Sequence, residues 1–202
     1  MPRSRIWPRA LALVLALAGS AALPGAAPDA QASVSIAVSW EGLLGQSTAA
    51  AVMTALDARS AWENGRIYTY TRMRVDQAVA GELAPGAEAV VRTMGGIVGD
   101  VGQQVEGEAV LSSGLSSLLF LHLGPAGVFE VTARGQGQFP VVATDPAQPA
   151  RVFRSRAAGL LVPAHLPTPA LPPKLAADVL HGRTVADAKS EIASAWAATH
   201  TR

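Results

Sequence analysis

From Ala49 onward the hydrophobic and polar positions fall into short blocks of period two, and a helical period returns only near the C-terminus. Ahead of the first block, Ser39 can cap a short helix over Trp40 to Gln46, its side-chain oxygen accepting from a free amide of the first turn. Between Ala49 and Trp62, Val52, Thr54 and Leu56 alternate with Met53, Ala55, Asp57 and Arg59. That alternation predicts a strand, although an Ala-rich helix competes through residue 58. Asn64-Gly65 marks a hairpin tip, because both central residues of a type I′ turn need φ > 0. Arg66 to Val79 then reads as a long two-faced strand. Ile67, Thr69, Thr71, Met73 and Val75 share one face, and Tyr68, Tyr70, Arg72, Arg74 and Asp76 the other.

Beyond a Gly81 to Gly86 turn, Ala87 to Met94 forms a third strand. Ser117 to Leu123 and Val128 to Arg134 make a second hairpin across Gly124 to Gly127, and Phe139 to Ala143 and Arg151 to Val162 add two strands. Seven short strands without helices long enough for crossovers predict a mainly β domain over residues 33–162. Its form is a small antiparallel barrel, OB-like, or a sandwich. Five prolines within Pro163 to Pro173 make that stretch an extended linker. Residues 174–202 are expected to be a helical tail. Lys174 to His181 forms one short helix, and Thr184 with Asp187 caps a longer one. Its stripe of Val185, Ala188, Ile192, Ala195, Trp196 and Thr199 should dock on the β domain.

The N-terminus changes the compartment. Arg3, Arg5 and Arg9 precede a short apolar run from Leu11 to Ala18, followed by small residues and by Pro24 and Pro28. This is the pattern of a secretory signal peptide over residues 1–32. Cleavage after Ala32 is favoured, with Ala22 as the rival. The run is too short for a span of about 20 residues, so no stable membrane span is expected after cleavage. The protein is therefore expected to be exported, either periplasmic or extracellular.

Charge then narrows the partners. The whole chain carries +1, and removing residues 1–32 takes away three arginines and one aspartate, leaving −1. A surface that is not globally basic removes the electrostatic argument for nucleic acid. Half of the chain is hydrophobic and 15% charged, against roughly 25% charged in an ordinary domain, so a sizeable core can form. The absence of cysteine excludes disulfides, thiolate catalysis, iron–sulfur clusters and Cys-ligated zinc.

No catalytic constellation stands out, and neither a cofactor nor a metal is expected. His122, His165, His181 and His200 are widely spaced, without an i, i+4 ligand pair. No G-x-S-x-G elbow is present, and Ser112 to Ser117 reads as a connection between strands. Gly95 to Gly102 lacks both G-x-G-x-x-G and G-K-[ST], and reads as a wide glycine turn at a barrel rim. Glu106 and Glu108, two residues apart, could share one face of a strand, and His122 lies in an apolar strand. These three are the acid–base candidates if the protein is a hydrolase. The most suggestive surface is the strand face bearing Tyr68, Tyr70, Arg72 and Arg74. Aromatic and cationic groups on one strand can stack on sugars or bases.

Four segments, taken in order, carry a resemblance. They are Trp62 to Thr69; Thr93-Met94-Gly95-Gly96 with Gly99, Val105 and Gly107; Leu118 to Leu121; and Gln136 to Phe139. Over roughly residues 40 to 143 the chain resembles a family of uncharacterised secreted bacterial β proteins, seen for instance in myxobacteria. That pattern has a Gly-Glu pair before the Leu-Phe-Leu strand where this chain has Gly114-Leu115. The resemblance implies exported β architecture and supplies no reaction. The leading expectation is a non-catalytic binding module of the cell envelope, its partner a protein or a glycan. A hydrolase or protease-associated factor, and a structural or assembly protein, are the alternatives.

Overall fold

A computed structural model of the protein describes residues 34–163 and 173–200. The signal segment and most of the proline-rich linker lie outside the described residues, as does His165. The elements run β1 (Val34–Ile36), α1 (Trp40–Gln46), β2 (Ala49–Glu63), β3 (Arg66–Ala80), β4 (Glu88–Met94), β5 (Gly96–Val98), β6 (Val101–Gln103) and β7 (Ser116–Leu123). They continue with β8 (Phe129–Val131), β9 (Gln138–Val142), β10 (Arg151–Val152), β11 (Leu160–Val162), α2 (Ala176–Leu180) and α3 (Val185–His200). The protein is mainly β with a C-terminal helix.

Local chemistry sets the main elements. The Ser39 side chain accepts from Gly42 N at 2.9 Å and starts α1. Asn64 and Gly65 both have positive φ, 48° and 78°, so β2 folds back on β3 in the tight turn their sequence favours. Strand wins over helix in β2 because it is paired on both sides, by β3 and by β7. Its small residues also let both of its faces be buried. Ala50 and Val52 pack with the helices, whereas Ala51, Met53 and Ala55 face the opposite core.

Hydrogen-bonded neighbours run β10-β9-β7-β2-β3-β4-β8, and β8 pairs in addition with β7. The pairing through β7, β2, β3, β4 and β8 therefore returns to its start. All five of these strands contribute to one core, through Met53, Met73, Val91, Leu119, Leu121 and Val131. On the other face of β2 and β7, a second core gathers Trp40, Leu43, Leu44, Phe120 and Phe139 with α2 and α3. The edge of Phe120 meets Trp40 at 5.8 Å between ring centroids, a favoured aromatic geometry. The expected capping of α3 is present. Asp187 N donates to Thr184 Oγ1 at 3.1 Å, and Thr184 Oγ1 donates back to Asp187 Oδ2 at 2.7 Å. Ala188 and Ile192 of the stripe are fully buried, with Val185, Ala195 and Trp196 packed around them.

Four expectations need correction. The described residues hold eleven strands rather than seven, because β1, β5, β6, β10 and β11 are two or three residues long and too short to show a period. Not all pairs are antiparallel: β4 with β8, and β1 with β11, are parallel. Arg151 to Val162 is no single strand, since the Ser155 side chain caps a short 3-10 turn over Arg156–Ala158. Gly95 to Gly102 is more ordered than a wide turn, forming the β5–β6 hairpin.

Candidate functional site

Strand register builds the site. Arg59 of β2 stands opposite Tyr70 of β3, and Tyr70 opposite Arg92 of β4. Arg92 pairs with Glu130 of β8, and Glu130 with His122 of β7. One line of polar and aromatic side chains thus crosses five strands on the side away from Met73 and Val91. Because successive strand residues alternate faces, a buried Val91 requires Arg92 to point outward.

Arg92 is the hub of this row. Its side chain is 11% exposed and pairs with Glu130 and, at 3.2 Å, with Glu63. The guanidinium lies 4.6 Å from the Tyr68 ring centroid, within cation–π range. The hydrogen bond to Glu130 raises its affinity for its proton. The Tyr70 hydroxyl donates to Glu63, and chiefly that bond to an anion pushes the phenol's pKa upward. His122 Nε2 is 3.5 Å from Glu130 Oε2, and its Nδ1 is 3.4 Å from Thr132 Oγ1.

Beside the row opens a cavity of about 410 Å³, whose walls include Tyr68, Arg92, Glu108, His122, Glu130 and Arg134. Its volume lies in the range of about 300–1,000 Å³ typical of small-molecule sites. Glu108 enters from the segment between β6 and β7. Gly135 N donating to Gly107 O, and the Gln138 amide bonding both backbone groups of Val110, hold that segment in place. Glu108 is only 9% exposed. Its Oε1 accepts from Ala109 N at 3.1 Å, whereas Oε2 stands 3.9 Å from Arg134 Nε, beyond hydrogen-bond length. Burial is the main cause of a carboxyl pKa raised above the ordinary range, against the downward pull of the Ala109 amide and of Arg134. Ala133 and Arg134, both on the cavity wall, have φ of 54° and 55°. Two consecutive left-handed non-glycine residues cost about 1–2 kcal/mol each, a strain that clusters at functional sites.

The four residues singled out on β3 separate. Tyr68 lines the cavity and Tyr70 joins the row beside it. Arg72 is held by Asp57 and Glu88, and Arg74 by Asp76 at 2.9 Å, away from the cavity walls. Of the three acid–base candidates, Glu108 and His122 share the cavity. Glu106 and Glu108 do not share a strand face, because their segment forms a turn. Glu106 is exposed there and accepts from Gln104 Nε2 at 2.8 Å. Arg92, Glu130 and Arg134 were missed by sequence reasoning, since only the β4–β8 pairing and the left-handed turn at Ala133 bring them together. Among the described residues no group of three or more His, Asp or Glu is arranged to hold a metal, and no helix is long and apolar enough to cross a membrane. The chain matches no protein-family model, no curated protein and no solved structure.

Proposed function

We propose that the protein is an exported binding module of the cell envelope, built on an OB-like barrel, which takes its partner at the Tyr68–Arg92–Glu108 cavity. The five-strand pairing circuit supports the barrel reading. In an OB-like barrel the face of the second and third strands, with the adjoining loops, is where oligomeric ligands bind. Here that position belongs to β3 and β4, which carry Tyr68 and Arg92. The observation that carries the proposal is a buried carboxylate, Glu108, lining an open cavity beside an aromatic ring and an ion-paired guanidinium. A fold does not otherwise retain a desolvated carboxylate cheaply.

The test is affinity capture from solubilised envelope of the source organism, with the chain expressed in full as bait. Tyr68→Ala and Glu108→Gln should lose the retained partner, whereas Arg72→Ala should keep it. Equal retention by all four proteins would remove the cavity from consideration. A hydrolytic reading has one observation in its favour, the sharing of the cavity by Glu108 and His122. Release of soluble fragments from the envelope, abolished in Glu108→Gln, would establish it.

A further inference from the structure

The charges lining the cavity say what kind of molecule it takes. Arg92 and Arg134 stand against Glu108 and Glu130, so the fixed charges of the wall cancel. A bound anion would either draw Arg92 away from Glu130, a carboxylate with 27% side-chain exposure, or meet Arg134 with the Glu108 carboxylate 3.9 Å from that guanidinium. Breaking such a pair from one side is costly. A bound cation would pair with Glu108 but lie beside Arg134, 3.9 Å from that carboxylate. What the wall does offer is unused acceptor capacity on the carboxylates, donor capacity on the exposed Arg134 and the imidazole of His122. These stand next to apolar surface from Tyr68, Met94 and Val131.

A hydroxyl donates to a carboxylate and accepts from a guanidinium at once, and two on adjacent carbons can use both groups of an acid–arginine pair. The carbon-bound hydrogens of a sugar ring can meanwhile lie on the Tyr68 ring. We propose, resting on the binding-module reading above, that the ligand is an uncharged saccharide segment with vicinal hydroxyls, held between Glu108 and Arg134 and packed on Tyr68.

The experiment treats solubilised envelope in three ways before capture by the full chain: untreated, exhaustively digested with protease, and oxidised with periodate, which cleaves the carbon–carbon bond of vicinal diols. The proposal expects retention to survive protease and to be lost after periodate. Glu108→Gln should weaken retention by about tenfold or more. Tyr68→Ala should weaken it too, with both variants still folded at the capture temperature by circular dichroism. Retention destroyed by protease and indifferent to periodate would overturn the saccharide assignment while leaving a protein-binding module. Retention of anionic material alone, released by moderate salt and unaffected by Glu108→Gln, would also overturn it. No retention from untreated envelope would remove the binding-module reading itself, and the assignment with it.

Discussion

Arg92 and Arg72 provide a controlled comparison, since each guanidinium is paired with two carboxylates on the same sheet and the two differ mainly in burial. The Arg72 side chain is 51% exposed, with partners Asp57 and Glu88 at 63% and 48%. That of Arg92 is 11% exposed, with Glu63 and Glu130 at 30% and 27%. Replacing Arg92 by Leu leaves two half-shielded carboxylates uncompensated. A fully buried broken pair costs about 3–5 kcal/mol, and the residual exposure of these acids reduces that to about 2. Losing the contact with Tyr68 adds about 0.5 kcal/mol, so the expected loss is about 2.5 kcal/mol. With a urea m-value of about 2 kcal/mol/M, the midpoint should fall by about 1 M. Arg72→Leu should leave it nearly unmoved, because solvent and salt already screen that cluster. Repeating both titrations in 1 M salt separates the causes, since screening then acts within about 3 Å. The Arg92 loss should persist and any Arg72 loss should vanish. Equal midpoints for the two variants would refute the argument that burial makes Arg92 the hub.

Other expectations concern the rest of the fold. Ile192→Ala removes a fully buried side chain from the helix–sheet core and should cost about 3 kcal/mol in a urea titration. Gly81→Ala forces a side chain onto a residue with φ of 77°, with the new carbon 2.8 Å from Ala49 Cα. It should cost about 3 kcal/mol in the same assay, with both strain and backbone clash contributing. The raised pKa of Glu108 means that the folded state holds this proton more tightly than the unfolded state does. Stability attached to it is complete below the ordinary carboxylate range and declines as pH rises through the raised folded value. Glu108→Gln should flatten that decline between mildly acid and neutral pH in urea midpoints; an unchanged slope would show that Glu108 is not its source.

What could be read from the sequence follows from range. The turn at Asn64-Gly65, the cap at Ser39 and the Thr184–Asp187 box depend on residues within four positions of one another, so they were legible and are found as expected. The inward set of Met73 and Val75 was legible because period two survives along β3. The three-residue strands β1, β5 and β6 were not, because three residues contain no period, whereas β8 was found through its hairpin with β7. The parallel β4–β8 pair was also beyond reach, since it joins Val91 to Phe129 across an intervening hairpin and strand. The site failed for the same reason. Tyr68 was visible on a two-faced strand, but Arg92 and Glu130 become neighbours only through that pairing. Arg72 and Arg74 were grouped with the tyrosines because they share a strand face; the partners of Arg72, Asp57 and Glu88, sit on neighbouring strands, whereas Asp76, which holds Arg74, lay on that same face.

The proposed ligand site is the cavity walled by Tyr68, Glu108 and Arg134. Backbone amide shifts of the isotope-labelled protein, followed while envelope saccharide freed of protein is titrated in, test it most directly. Saturable shifts centred on Tyr68, Glu108, His122, Glu130 and Arg134 are expected, with Arg74 and the α3 amides unmoved. Saturable shifts confined to any other surface, or none at all at saturating saccharide, would contradict it.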